Sequence, residues 1–231
     1  MGDSMEMSPT FTNSNGRFRA GSFGLLGLTS LPVGLLLARV AYTRSLVYSH
    51  VVWNLALAWV PVGFAWLAVL RGRAPLWLRS LAALGWMLFL PNAPYLITDL
   101  VYLHPSGQIP LLYDGVLLFS LGLCGLALGL VSLGWMQEAV AARLGNRAGW
   151  VFAVGALAAA GFGVYLGRFL RWNSWDVVVR PAALAEELLL HVTHPLRHWR
   201  AWAMSGLFSL LLAFTYWPLA SLAGKLRPVP R

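Results

Sequence analysis

The sequence predicts an all-α fold: an integral membrane helical bundle of about six transmembrane helices, with one short helix lying on the interface. Three observations predict it. Hydrophobic residues fill 58% of the 231 positions and charged residues only 11%, whereas a soluble domain is about a quarter charged. Mean hydropathy is +0.67, and several apolar runs reach the ~20 residues that cross ~30 Å of hydrocarbon. The arginines punctuate these runs, so the formal charge of +9 reads as membrane flanks and excludes nucleic acid as the partner.

Residues 1–19 are rich in Ser, Asn and Thr and predict a disordered polar tail. Arg17 and Arg19 precede the first span, Ala20 to Ala38. No small-x-small cleavage site follows that run, so it is expected to be retained as a span. The second span runs from Leu46 to Leu70, with Pro61 a kink and His50 and Asn54 one turn apart on one face. The third runs from Leu76 to Leu103 and is interrupted by Pro91-Asn92-Ala93-Pro94. The fourth spans Pro110 to Met136, opening with Tyr113-Asp114. The fifth, Ala148 to Leu170, carries Gly155, Gly163 and Gly167, where helices can approach closely. The sixth, Trp199 to Leu222, leads into a basic tail over 223–231; residues 20–222 thus form one transmembrane domain.

The connector between spans five and six holds a helical stretch, 181–192, opened by Pro181 at a position suited to a first helical turn. It is too short to span and is expected to lie on the interface, flanked by Trp172, Trp175, Trp199 and Trp202 at headgroup level. The loop between spans three and four has no Lys or Arg, while the opposite face carries Arg71, Arg73, Arg79, Arg143 and Arg147. The positive-inside rule then places both termini in the cytoplasm. Arginine in place of lysine at all but Lys225, with abundant Ala, Gly and Leu, is the composition of GC-rich bacterial coding. The expected location is the bacterial inner membrane.

Chain parity puts the ends of odd-numbered spans and the starts of even-numbered ones on one face. Asp99, His104, Asp114, Asp176, His191, His194 and His198 all fall there. Each could do acid–base or ligand chemistry. The two prolines break the backbone ladder, and such a break in lipid must be satisfied by protein or water. Asn92 is expected either to cap a half-helix starting near Ala93, as in the broken helices of transporter sites, or to patch the backbone groups freed by an ordinary proline kink. Asp99, seven residues on with Tyr95 between, is an intramembrane ionisable group, costly and usually functional. Arg168 and Arg171 suit a guanidinium clamp for a phosphate or carboxylate, with Asn173 and Asp176 beside them; an Arg168–Asp176 pair is the alternative. The spacing His191, His194, His198 is interrupted by Pro195 and lacks an acidic ligand at metal spacing, so neither a metal nor another cofactor is expected. The single Cys124 permits no intrachain disulfide.

The motifs LFLPNAPYLITDL (88–100), YD (113–114) and GVYLGRFLRWNSWDV (163–177), in this order, resemble a bacterial family of multi-pass membrane proteins known as domain of unknown function 1361. The resemblance covers roughly 46–220 and implies an integral membrane protein without supplying an activity. The family pattern often has histidine where this chain has Tyr102, with His104 following.

Three functional classes stay open. In the first, the site faces the non-cytoplasmic side and handles an anionic amphiphile or envelope precursor. Asp99, His104 and Asp114 are then the acid–base candidates, and Asn92, Tyr95, Arg168, Arg171, Asn173 and Asp176 bind the substrate. The second is a proton- or ion-coupled transporter; the third is a structural or assembly subunit. The lipid bilayer is the one partner common to all, and whether the chain is an enzyme is left open.

Overall fold

The computed structural model describes residues 12–70, 75–105 and 107–225. The elements in chain order are α1 (Thr12–Thr43), α2 (Ser49–Leu70), α3 (Leu76–Phe89), α4 (Asn92–Tyr95), a 3₁₀ segment (Leu96–Tyr102), α5 (Leu111–Leu144), α6 (Asn146–Phe169), α7 (Asp176–Val179), α8 (Pro181–Thr193) and α9 (Trp199–Lys225). Among the described residues there is no strand. Six stretches are long and apolar enough to cross a membrane: Gly24–Thr43, Ser49–Val69, Leu76–Tyr102, Leu111–Leu144, Asn146–Phe169 and Trp199–Leu222. This is the helical membrane bundle expected from the apolar runs.

Helix ends differ from the sequence expectation by a few residues in several places, and most at the start of α1 and the end of α5. Helix α1 begins at Thr12, so residues 12–19 extend the helix rather than forming a disordered tail. Once a helix is nucleated, each added residue gains one hydrogen bond for little further ordering, so polar residues can prolong it. Residues 1–11 and 226–231 lie outside the described residues. Helix α5 runs on past Met136 to Leu144 and stops only at Gly145, whose φ of 89° suits a residue without Cβ. Gln137, within that extension, is buried and hydrogen-bonded by the Tyr216 hydroxyl, so α9 covers a polar turn that looks too hydrophilic for a core.

Helix α5 is the axis of the bundle. In its apolar window 72% of residues are buried, against 17% in α1 and in α9, which therefore form the rim. One core cluster joins α2, α3, α5, α6 and α9 around Trp86, whose indole N–H donates to Ser132 Oγ at 3.1 Å. A second joins α1, α2, α4 and α5 around Val51, Leu96, Leu117 and Leu121.

The interrupted third span fits between α5 and α6 because both present glycine there. A Cβ on Gly125 would collide with the Ala93 carbonyl oxygen, and one on Gly163 with the Pro91 ring. A Cβ on Gly167 would reach the Tyr95 ring, whereas Gly155 faces open space and mediates no close approach. Helix α8 is too short to span. It packs on the ends of α6 and α9, with His191 buried against Phe162 and Tyr165 and with Trp202 Nε1 donating to the His191 carbonyl at 3.3 Å.

Candidate functional site

The site is organised by the way the break at Pro91–Pro94 is repaired. Pro94 has no N–H, so the Leu90 carbonyl accepts from Ala93 N at 3.2 Å, and the Phe89 carbonyl loses its usual donor. Asn92 Nδ2 donates to the Phe89 carbonyl at 3.0 Å and to Ser174 Oγ at 2.8 Å, and the Ser174 hydroxyl donates to the Leu88 carbonyl at 3.0 Å. Asn92 therefore patches the preceding turn from behind; it does not cap α4, whose N-terminus has no side-chain cap. Ser174, unremarked in the sequence, ties the 172–177 loop to the broken span.

After the break the chain continues as a 3₁₀ segment. At three residues per turn, side chains three apart eclipse, so Tyr95 and Thr98 form one straight row and Asp99 and Tyr102 a second. The Arg168 guanidinium from the end of α6 lies across both. Its Nη2 donates to Asp99 Oδ1 at 3.0 Å and its Nε to Thr98 Oγ1 at 2.9 Å. Its Nη1 donates to the Tyr95 and Tyr102 hydroxyls at 3.3 and 3.0 Å, and the cation stacks 4.9 Å from both ring centroids. Asn54 Nδ2 on α2 donates to Asp99 Oδ2 at 3.0 Å. Asp99 is fully buried and Arg168 13% exposed. Two of the sequence motifs, 88–100 and 163–177, thus converge on one buried ion pair, joined by Asn54 of α2 and by Tyr102. Arg168 pairs with Asp99, not with Asp176.

Asp114 belongs to a second ion pair. Arg39, at the end of α1, grips it with Nε to Oδ1 at 2.8 Å and Nη2 to Oδ2 at 3.1 Å, both residues nearly inaccessible (3% and 1%). Arg39 also stacks 4.5 Å above the Tyr48 ring. The Tyr48 hydroxyl shares its proton between the Tyr102 carbonyl at 3.3 Å and Asp114 Oδ2 at 3.5 Å. Tyr102 therefore links the two pairs, its hydroxyl on Arg168 and its carbonyl on Tyr48. The His50 ring meets Tyr102 edge-on at 4.8 Å, with Nε2 buried and unpartnered among the described residues. His104 is exposed, its Nδ1–H donating to the Tyr102 carbonyl at 2.7 Å.

Asp176 stands apart as the anchor of the 172–180 loop. It accepts from Asn173 N at 2.7 Å and from Arg180 Nε and Nη2 at 3.1 and 2.9 Å. The backbone N–H of Asn173, then the Arg180 guanidinium, hold its carboxyl below the usual carboxylate range against the opposing effect of burial. Arg180 itself lies 4.9 Å from the Trp172 ring centroid. Arg171 is exposed at φ 58°, a left-handed turn that lets Trp172 N close on the Leu166 carbonyl at 3.1 Å. Among the described residues the connector histidines form no cluster with Asp99, Asp114 or Asp176; the one carboxylate near them is Glu187, with Oε1 3.4 Å from His191 Nδ1. His191 Nδ1–H donates to the Glu187 carbonyl at 2.8 Å and its ring lies 4.1 Å from that of His198, while His194 is exposed beside Thr193. Among the described residues no three His, Cys, Asp or Glu side chains gather as a metal would need.

A cleft of about 390 Å³ opens beside the Asp99–Arg168 pair, between α2 and α3 on one side and α6 and α8 on the other. Asn54, Asn92, Tyr95, Asn173 and Ser174 give its polar lining; Leu57, Met87, Phe162, Leu184 and Leu188 give an apolar one. Trp53 of α2 meets Trp175 edge-on at 6.4 Å beside it. Asp99 and Arg168 lie behind the wall, each bonded to a lining residue, Asn54 and Tyr95 respectively. His104, Asp114 and Arg171 are not part of the lining.

Six membrane-length helices wrapped around a buried ion pair and an amphiphilic cleft define a multi-pass membrane protein. The family described as protein of unknown function (DUF1361) matches residues 53–215, more than half of the chain, and the chain belongs to that family. That range contains the broken span, both lining asparagines of α2 and α4, and the Arg168–Asp176 stretch; it omits Arg39. No curated protein and no solved structure matches the chain.

Proposed function

We propose that the protein binds an amphiphile from the bilayer in this cleft, on the non-cytoplasmic side of a bacterial inner membrane. The observation that carries the reading is the cleft itself, whose hydrogen-bonding residues and apolar residues match a polar head and a hydrocarbon chain. Asp99 and Arg168 are positioning residues here: they fix Asn54 and Tyr95 in the wall. Acid–base work by Asp99 would first have to break two hydrogen bonds on a fully buried carboxylate, so recognition fits the geometry better than proton transfer.

In lipid-binding tests by native mass spectrometry, wild type is expected to retain a lipid adduct after extraction from its membrane. Leu188→Trp, which fills the apolar lining, should lose it at unchanged thermal stability. Identical adducts on both proteins would rule out the cleft as the binding site.

Orientation follows from charge. Of the seven cations on the site's face, Arg39, Arg168 and Arg180 are ion-paired to Asp114, Asp99 and Asp176. The opposite face carries ten Lys and Arg against these seven, and the Lys and Arg excess, whatever their partners, marks the cytoplasmic side. Reporter fusions after Gly107 and Gly145 are expected to report periplasm and cytoplasm respectively. The reverse pattern would put the site in the cytoplasm.

A further inference from the structure

The hydrogen-bonding capacity left over in the cleft says what kind of head it takes. This step rests on the amphiphile reading above. An anion needs free donors, ideally a guanidinium fork. The nearest one, Arg168, is committed to Asp99, Thr98, Tyr95 and Tyr102. Arg180 is held on Asp176, and neither Arg180 nor Arg171 is among the lining residues.

The neutral side chains present both donors and acceptors. Both N–H bonds of Asn92 are used, on Phe89 O and Ser174 Oγ, while among the described residues nothing donates to its Oδ1. Asn54 uses one N–H on Asp99, keeping its second N–H and its carbonyl oxygen. Tyr95 accepts from Arg168, so its own hydroxyl proton is available. The exposed Asn173 amide makes only a long 3.5 Å contact with Asp176.

An array of free amide carbonyls beside a few free N–H and O–H groups complements hydroxyls, since each hydroxyl both donates and accepts. It is a poor match for phosphate, whose ionised oxygens only accept and would face the amide oxygens unpaired. We propose that the head bound in the cleft is an uncharged polyhydroxylated group, as on a glycolipid, and not a phosphate. Trp53 in the lining offers a flat apolar face suited to the C–H surface of such a ring.

The test uses the full chain in phosphatidylcholine nanodiscs doped with either monoglucosyl diacylglycerol or phosphatidic acid of the same acyl chains, with binding measured by native mass spectrometry. The glucosyl lipid is expected to bind roughly tenfold more tightly, the discrimination of about one unmatched polar group. Asn173→Ala, an exposed change that keeps the backbone N–H on Asp176, should weaken the glucosyl lipid several-fold and leave phosphatidic acid unchanged. Equal or tighter phosphatidic acid binding that Leu188→Trp still abolishes would overturn the head assignment while leaving the cleft reading intact. Binding of both lipids that Leu188→Trp does not alter would remove the cleft reading, and this inference with it.

Discussion

Arg168→Ala is expected to destabilise the protein by about 3–5 kcal/mol, because it leaves the Asp99 carboxylate fully buried without its counter-charge. At this chain length that is a fall in unfolding temperature of roughly 6–20 °C, measured by intrinsic fluorescence in one detergent. Asp99→Asn in the same background should recover most of the loss. The amide keeps the shape and can still meet Asn54 and the 3₁₀ rows, and it removes the charge that needed compensation. Lipid binding separates this role from a purely structural one. If the pair positions the cleft wall, the double variant refolds but binds more weakly, since Tyr95 loses the guanidinium that orients it. Restored stability together with wild-type lipid affinity would show that the pair has no part in recognition. No recovery in the double variant would mean that Arg168 matters for its contacts with Tyr95, Thr98 and Tyr102 and not for its charge.

The helices were legible in the sequence because length and hydropathy alone decide whether a segment can cross a membrane. Their ends were not, since polar residues such as Gln137 or the 12–19 stretch join a helix whenever no Gly or Pro stops it. Asn92, Tyr95, Asp99 and Arg168 stand out as polar groups in or beside apolar runs, and they do converge. What linear spacing cannot give is which partner each one meets. Arg168 and Asp176 are eight residues apart yet separate, whereas Arg168 and Asp99 are 69 apart and bonded. The 3₁₀ geometry after Pro94 was equally hidden, as it depends on glycines in α5 and α6 admitting the broken backbone. Arg39 was missed because an arginine after an apolar run looks like an ordinary flank. Parity held the available signal: it places Arg39 on the same face as Asp114, an acidic residue at a span's start with no local partner.

Arg39→Met should be as damaging as Arg168→Ala, about 3–5 kcal/mol, for it strands a carboxylate that is 1% exposed between α1 and α5. The two pairs should part company when both charges are removed. Arg39→Met with Asp114→Leu replaces a buried pair by apolar side chains, an exchange that is often neutral or stabilising by about 1–4 kcal/mol. The Arg39–Asp114 pair contacts no lining residue of the cleft, touching it only through Tyr48 and the Tyr102 carbonyl. The double variant is therefore expected to regain wild-type stability and keep lipid affinity within about twofold, whereas neutralising Asp99 and Arg168 together weakens binding. A double-mutant cycle on each pair, read by unfolding temperature and by lipid retention, makes the comparison quantitative. Lost lipid binding at wild-type stability in the Arg39–Asp114 double variant would return Asp114 to the site, in the acid–base role that its place at the head of the fourth span first suggests. Retained binding makes this pair a strut that fastens the rim helix α1, through an Arg39 outside the stretch matched by the family, to the axis, and leaves recognition with the broken span.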